Sequence, residues 1–356
     1  MRRIMIIGII GLIQFAFSID NKFFIKQLAD DFKSAKTINS QRAILSKLSE
    51  TELKSEDDIS CLADIIRESD DHEMRMEASS VFVTLSDNKK DVSKKYTNTY
   101  IKLLDSDEKM VRVAAINVLG KLNAKEAAPK LKRIVNDFSV TKYKILSVIS
   151  KKKAFESIYE PGAAAIALGE MKDLGSIPLL VDKFYDLDEC CGIALASMGR
   201  EGVKALIKLS KTDKAEEGKP SPIQALNYVD DIGAKDILIE VLNDPKADVW
   251  LKSAALRVLV RNLKDKTVLT ELRKNYSSYE MKIRNEIVKF TTQHENLRFL
   301  YWVLENENEA LIKINAIENI AYIKDPSSIV ILDKYSNHSD KMIRLTVADA
   351  LARIKK

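Results

Sequence analysis

The stretch DSDEKMVRVAAINVLG, from Asp105 to Gly120, decides the fold of this chain. Its first residues are polar and have the composition of a turn. The apolar residues that follow are three or four positions apart, as on the buried face of an amphipathic helix: Val111, Ala114, Ala115, Val118 and Leu119. Because two of them are alanines, a neighbouring helix can approach closely. Such a helix leaves an apolar face bare when it is alone, so the stretch predicts further helices packed against it.

The same spacing recurs along the whole chain. From Pro161 onward the steps between copies are about 27 to 33 residues, within the range of about 20 to 50 that is typical of solenoids. The positions equivalent to Arg112 are Gln41, Arg75, Pro161, Asp188, Lys219, Lys252, Arg284, Lys313 and Arg344. We call the helices around these positions the reference helices.

Further apolar segments with helical spacing lie between the reference helices, and we call them companion helices. Examples are Ile59 to Ile66, Ala127 to Val135, Ile177 to Phe184 and Leu297 to Leu304. One reference helix and one companion helix form a hairpin, and stacking the next hairpin covers the apolar face of the first. The sequence therefore predicts an all-α fold, an α-solenoid or superhelix of stacked antiparallel helical hairpins. With 46% hydrophobic residues, 11 Gly and 7 Pro, the composition also favours helices over β-turn-rich folds.

Four stretches resemble a known family: AAPKLKRIVND (127–137), DLGSIPLLVDKFYD (173–186), VRVAAINVLGKL (111–122) and PGAAAIALGEM (161–171). They are similar to HEAT-like repeats, especially the short repeats of phycobilisome lyases. The resemblance covers almost all of the chain after its N-terminal segment and implies the fold more strongly than the function, because scaffolds, lyase subunits, hydroxylases and DNA-repair proteins share this repeat. It also implies pairing of the acidic turn residue with the basic residue that begins the helix, here Asp107 with Arg112 and Asp340 with Arg344.

The N-terminus has the pattern of a secretory signal. Arg2 and Arg3 precede an apolar run from Ile4 to Phe17, and small residues lie before a cut ahead of Ile19. The run is shorter than the ~17 to 25 residues that span a bilayer. We therefore expect a signal peptide at 1–18, a solenoid at 19–356 and an exported protein, periplasmic or extracellular, with no stable membrane insertion after cleavage. The alternative is an uncleaved N-terminal anchor.

Charge and cysteine content exclude two further classes. The net charge of +5 falls by two if Arg2 and Arg3 leave with the signal, so the sequence predicts no nucleic-acid partner. Cys61, Cys190 and Cys191 are too few for a disulfide framework. Cys190 and Cys191 align with the buried Ala114 and Ala115, which predicts small core residues. A vicinal disulfide or a reactive thiol is the alternative.

No catalytic residue, cofactor or metal site is predicted. The sequence has no glycine-rich phosphate loop, nucleophile elbow or zinc-ligand spacing. His72-Glu73 and His294-Glu295 are similar to the iron-binding His-Glu pairs of HEAT-like deoxyhypusine hydroxylases, but they occupy different positions in their repeats. We expect them to be turn residues in contact with solvent.

One segment, 136–160, breaks the period and predicts a shortened repeat or an inserted helix. Its basic residues, together with Tyr143 and Phe155, are candidates for contact with an anionic partner: Lys142, Lys144, Lys151, Lys152 and Lys153. A solvated helix flank is the other interpretation.

A second candidate surface is aromatic: Phe299, Tyr301, Trp302 and Tyr322. Partly exposed aromatic residues supply much of the binding energy of protein interfaces. Core packing is the competing role for Phe299 and Trp302. Because reference-helix positions such as Asn117, Arg257, Lys289 and Asp349 are mixed in charge, we expect a protein partner.

The function predicted from the sequence is an exported, non-enzymatic scaffold or adaptor that binds another protein through the solenoid surface. The alternative is an enzyme, or an enzyme subunit, of the HEAT-like lyase or hydroxylase kind.

Overall fold

A computed structural model describes residues 25–69, 71–88, 90–187, 189–212, 221–230, 232–261, 266–291 and 296–355, without the side chains of 142, 151–156, 232 and 266. Within these ranges the chain consists of helices and turns and contains no strand, as predicted. No helix in this part of the chain is long and apolar enough to span a bilayer. The predicted signal at 1–18 lies outside the described residues. The helices fall into two compact units, Met1–Met198 and Gly199–Lys356.

Unit 1 contains five reference helices, α2, α4, α7, α10 and α12, and each packs against the next. In chain order the helices are α1 (25–34), α2 (Ile38–Ser49), α3 (Glu56–Glu68), α4 (His72–Asn88), α5 (Lys90–Lys95), α6 (Thr97–Leu103), α7 (Lys109–Lys121), α8 (Ala128–Asn136), α9 (Val140–Ile149), α10 (Lys151–Glu170), α11 (Ile177–Asp182) and α12 (Glu189–Ser197). The companion helices α3, α8 and α11 are those predicted from the apolar spacing. Unit 1 is thus a stack of helical hairpins.

Unit 2 repeats this arrangement with α14, α16, α18, α20 and α22 as reference helices. Its helices are α13 (Arg200–Thr212), α14 (Pro222–Ala225), α15 (Lys235–Asn243), α16 (Val249–Arg261), α17 (Lys266–Asn275), α18 (Met281–Phe290), α19 (Leu297–Asn306), α20 (Ala310–Ile323), α21 (Ile329–Asp333) and α22 (Lys341–Ile354). Helices α16, α18, α20 and α22 pack in sequence. The companion helices α15, α19 and α21 pack against α16, α20 and α22, respectively. The prediction of stacked hairpins is confirmed in each unit.

The cores form where the alanine spacing predicted close packing. All five apolar residues of the predicted α7 face are buried. A Cβ atom added at Gly120 would lie only 2.9 Å from the Cβ of Ala167, and one at Gly169 only 2.6 Å from the Cα of Ala194. Helices α7, α10 and α12 therefore approach so closely that these two positions leave no room for a side chain.

Four of the reference helices, α7, α10, α12 and α20, end just before a residue with a positive φ angle. Asn123, Lys172 and Lys324 have positive φ angles of 55°, 50° and 57°, and Gly199 has one of 68°. Each of the four lies 11 positions after a reference residue, Arg112, Pro161, Lys313 and Asp188 respectively. The amide after Asn123 donates to the carbonyl of Leu119 and the amide after Lys172 to that of Leu168, which is the hydrogen bond of a Schellman cap. This recurring left-handed residue confirms the register of the repeats.

The segment 136–160 contains α9 and the first half of α10. Helix α10 begins at Lys151, so Pro161 lies inside it. Proline removes one intrahelical hydrogen bond, but the rest of the 20-residue helix continues through it. Helix α9 packs against α10 and none of its described side chains is fully buried.

Candidate partner-binding surfaces

Arg112, the reference residue of α7, makes two sets of contacts. In α7, Nε and Nη2 of Arg112 donate to the two carboxylate oxygens of Glu160 in α10, at 2.6 and 2.7 Å. Nη1 donates to the main-chain oxygens of Ser106 and Asp107, at 2.7 and 3.1 Å. Arg112 therefore joins its own turn to the next reference helix. The prediction that the side chains of Asp107 and Arg112 pair is wrong, because the guanidinium binds the carbonyl oxygens of the turn instead.

The same correction applies to α22. Nη1 of Arg344 donates to the carbonyls of His338 and Ser339, at 2.7 and 2.8 Å. The carboxylate of Asp340 instead accepts hydrogen bonds from the amides of Met342 and Ile343 and caps the helix. Asp340 therefore satisfies the start of the helix, as predicted, but it does not form the predicted ion pair with Arg344.

In unit 2 the corresponding contact of α18 is nearly buried. Arg284 donates through Nε to Glu307 at 3.0 Å and through Nη1 to the carbonyl of Tyr279 at 2.9 Å. The Glu307 carboxylate also accepts from the Tyr276 hydroxyl and from two main-chain amides. Burial alone would raise the pKa of Glu307, but these hydrogen bonds outweigh it and hold the pKa below its ordinary value. These contacts are structural clamps between repeats.

The structure separates the four aromatic residues that the sequence suggested as one surface. Phe299 is buried, in agreement with the alternative role of a core residue, and Trp302 is half-buried. The Trp302 ring lies 5.4 Å from that of Tyr276, 6.0 Å from that of Phe299 and 5.1 Å from the Arg273 guanidinium. Trp302 thus belongs mainly to a packed cluster, and Tyr276 is a member that the sequence analysis missed.

The other two aromatic residues have different surroundings. The Tyr301 hydroxyl lies 2.8 Å from Oγ of Ser328 and the side chain is half-buried. Tyr322, in α20, is 71% exposed, and no ring contact joins it to Phe299, Tyr301 or Trp302 within the part of the chain that the structure describes. Of the four, Tyr322 is the one that presents most of its ring to a partner.

The residues of the predicted basic surface belong to α9 and the first turns of α10, in unit 1. Tyr143 is half-buried in α9 beside Phe138, with their ring centroids 6.4 Å apart. Both border a cleft of about 420 Å³ between α7, α8, α9 and α10, which the Arg112–Glu160 pair also lines. Lys151, Lys152 and Lys153 form the first turn of α10, and their side chains lie outside the described ones.

The structure shows a third candidate surface, which the sequence did not predict. Trp250, Leu311 and Met342 are each the second residue of a reference helix, α16, α20 and α22, and each is more than half exposed. In α18 that position is Lys282, whose Nζ lies 3.9 Å from the Trp250 ring centroid. We call these four residues the unit 2 row. The signal that could have revealed the three apolar members is a large apolar residue two positions before the reference residue.

The face of the reference helices next to the unit 2 row is polar. Nδ2 of Asn315 donates to Oδ1 of Asn285 at 2.6 Å, and Asn319 donates to the carbonyl of Val288. Arg353 and Glu318 form an ion pair of 2.8 Å between α22 and α20. The row is therefore bordered by mixed charges and amides, as the sequence predicted for this face.

The histidines and cysteines occupy separate places. His72 is the first residue of α4 and stacks on Tyr159 at 6.3 Å, while Glu73 pairs with Arg42 at 3.1 Å. His294 lies outside the described residues. Cys191 is buried, which confirms its core prediction and raises the pKa of its thiol, whereas Cys190 is half-buried. Neither these two cysteines nor Cys61 forms a disulfide bond.

Comparison with known families supports the repeat. The model of the PBS lyase HEAT-like repeat matches residues 111–137, which contain most of α7 and all of α8. The predicted resemblance is confirmed for this hairpin. No curated protein matches the sequence.

The chain is also similar to solved structures, among them the following three. Human deoxyhypusine hydroxylase in complex with glycerol is 14% identical, with 95% of this chain and 98% of that chain covered and a TM-score of 0.30. The complex of CpcE and CpcF of phycocyanin lyase from Nostoc sp. PCC7120 is 16% identical, with 72% and 94% covered and a TM-score of 0.32. Kap121p is 10% identical, with 94% and 45% covered and a TM-score of 0.34.

Proposed function

We propose that this protein is an exported, non-enzymatic scaffold that binds a protein partner along the unit 2 row. The observation that supports this function is the repetition of an exposed, large apolar side chain at one position of three reference helices. Tryptophan and methionine are enriched at protein interfaces, and tryptophan is a frequent hot spot. Single exposed apolar residues are common, but a row at repeat spacing gives a partner several contacts in line.

The dimensions of the row suit an extended polypeptide segment. Packed helices lie about 8 to 10 Å apart, so four neighbouring helices place the ends of the row roughly 25 to 30 Å apart. An extended chain advances about 3.3 Å per residue, so a segment of about eight or nine residues covers this length. The partner we propose carries apolar side chains that meet Trp250, Leu311 and Met342. Its polar groups face the amides and charges beside the row.

The row is separable from the core of unit 2. The residues directly after Trp250, Leu311 and Met342 are Leu251, Ile312 and Ile343, and these are the buried ones. Replacing the exposed members therefore removes little buried area, and variants of the row are expected to fold.

Site-specific crosslinking tests the partner. A photoreactive amino acid replaces Trp250, Leu311 or Met342 in separate variants, which are expressed in the native host. The control replaces Val330 in α21, which is exposed but lies outside the row. We expect one polypeptide to be crosslinked from all three row positions and not from position 330. Equal crosslinking at position 330, or a different polypeptide from each row position, would contradict a dedicated surface.

Export is tested on the same protein. N-terminal sequencing after cell fractionation is expected to find a chain that begins at Ile19 in the periplasmic or extracellular fraction. An intact Met1 in the cytoplasm would contradict this part of the proposal. Bound metal or bilin in the purified protein would favour the enzyme alternative over a scaffold.

A further inference from the structure

Helix α9 presents an apolar group to solvent. Ile145, Val148 and Ile149 are three and four positions apart, so they share one face of the helix. Each is more than half exposed, and Val148 is 88% exposed. The helix packs against α10, and none of its described side chains is fully buried.

Between Asp137 and Glu156, the segment that carries this apolar group has charged residues of one sign only. Residues 138–155 contain five lysines and neither aspartate nor glutamate, although 31% of the whole chain is charged and its two signs are nearly balanced. Two of these lysines are in α9, and Lys144 is exposed one turn before Val148. The other three, Lys151, Lys152 and Lys153, begin α10 directly after the apolar group. We call residues 138–155 the basic segment.

We propose that the basic segment binds the surface of an anionic lipid bilayer. Ile145, Val148 and Ile149 enter the headgroup region, and the lysines contact the anionic headgroups. Helices with exposed apolar residues and a surplus of lysine lie in the membrane interface by this combination of contacts. A bilayer supplies an apolar layer beneath a dense negative surface, whereas an acidic protein surface supplies the charge without the apolar layer. This binding is peripheral and needs no helix that crosses the membrane.

Amide hydrogen exchange locates the contact. The full chain is mixed with vesicles of phosphatidylcholine alone or of phosphatidylcholine with phosphatidylglycerol. We expect slower exchange in peptides from 138–155 with the anionic vesicles alone, and a loss of this protection at high salt, which screens surface charge. The apolar run from Ile4 to Phe17 carries no charge, so we expect it to contact both kinds of vesicle alike where it is present, and a readout within the basic segment separates the two effects.

A triple variant tests the charges. One lysine near an anionic surface strengthens binding roughly fivefold, so Lys151→Gln/Lys152→Gln/Lys153→Gln is expected to weaken binding to anionic vesicles about a hundredfold. The matched control, Lys94→Gln/Lys208→Gln/Lys334→Gln, removes the same charge from exposed positions elsewhere. We expect it to weaken binding by less than about fivefold.

A second pair of variants tests the apolar group. Val148→Ser/Ile149→Ser is expected to weaken vesicle binding about tenfold or more, since it removes several methyl groups from the interface. Val330→Ser/Leu345→Ser, at exposed positions of unit 2, is expected to leave binding unchanged. Both changes are at exposed sites, and the helix content measured by circular dichroism checks that the variants fold.

Three results would overturn the proposal. The first is the absence of protection in 138–155 with anionic vesicles, or equal protection with neutral ones. The second is an equal loss of binding in the lysine variant and its control. The third is protection of the basic segment by polyglutamate and not by anionic vesicles, which would identify an acidic protein as the partner.

Discussion

Replacement of Arg284 by methionine tests the role of the clamps between reference helices. Methionine keeps most of the length and apolar volume of the side chain but removes the guanidinium. The change leaves the Glu307 carboxylate, which is 4% exposed, without its cationic partner. It also leaves the carbonyl of Tyr279 without the donor at 2.9 Å. The repeat then loses one contact to its own turn and one to the turn between α19 and α20.

The expected loss of stability is about 2 to 3 kcal/mol. Breaking a buried ion pair by removing one partner costs about 3 to 5 kcal/mol when the remaining charge is uncompensated. Here the carboxylate keeps the hydroxyl of Tyr276 at 3.0 Å and the amides of Asn308 and Glu309 at 2.8 and 3.1 Å. These three donors still stabilise the charge, so we place the cost below that range.

Urea unfolding followed by tryptophan fluorescence measures the effect, because Trp302 packs on Tyr276 close to the clamp. The pKa of Glu307 is lowered in the folded state, so the ionised carboxylate contributes stability above its unfolded pKa of about 4.3. This contribution is lost as the pH falls through the lower folded pKa. The difference in free energy of unfolding between the wild type and Arg284→Met is therefore expected to be largest at neutral pH and to shrink below about pH 4.

The matched control is Arg353→Met. Arg353 pairs with Glu318 at 2.8 Å, but the two side chains are 37% and 45% exposed. Exposed ion pairs contribute about 0.2 to 1 kcal/mol, so this variant should lose less than about 1 kcal/mol. A loss below about 0.5 kcal/mol for Arg284→Met, or a loss that stays constant from neutral pH to pH 3, would refute the clamp reasoning.

Three further predictions concern single positions. Lys324→Gly is expected to raise the free energy of unfolding by roughly 0.5 to 1 kcal/mol, because φ is 57° at this residue and glycine adopts that conformation without strain. Thermal unfolding measures the effect. The control Lys334→Gly, at a residue with a φ of −59°, should lower the free energy of unfolding. Gly169→Ala should lower the free energy of unfolding by about 1 to 3 kcal/mol, since its Cβ would lie 2.6 Å from the Cα of Ala194. At Gly175 the atom nearest to an added Cβ is Nζ of the flexible Lys132, at 3.3 Å, so the control Gly175→Ala should have a melting temperature close to that of the wild type. The buried Cys191 thiol, whose pKa is raised by burial, should react with iodoacetamide only after unfolding, and modification of the folded protein at Cys191, read by mass spectrometry, would contradict its burial.

Local spacing was sufficient to predict the reference helices. In α7 the apolar residues three and four positions apart decide which face is buried, and this information lies within one helix. The start of α10 could not be predicted in this way. Pro161 favours a position near a helix start, but the extra residues from Lys151 onward extend the helix by packing against α9.

Contacts between repeats were the less predictable part of the candidate surfaces. Glu160, the partner of Arg112, lies 48 positions after it in the sequence. The sequence analysis chose an acidic residue in the turn before Arg112 instead, because that residue is closer along the chain. Tyr276 was missed because it lies in the short turn Tyr276–Ser278, where no helical spacing marks it as a core residue. Which residues meet across neighbouring hairpins depends on how the hairpins stack, and the spacing within one helix does not contain that information.

Neighbouring positions of one repeat therefore have different physical roles. The reference residue makes the clamp, as Arg284 does, and the residue before it, Ile283, is buried in the core. The residue two positions before it faces solvent in α16, α20 and α22. A substitution at either of the first two positions costs stability, because it opens a cavity or leaves a buried charge unpaired. A substitution at the third costs little, so this position can carry tryptophan, lysine, leucine or methionine in successive repeats without changing the stack. Recognition by the unit 2 row is physically possible for this reason: its side chains are arranged by a core to which they contribute little.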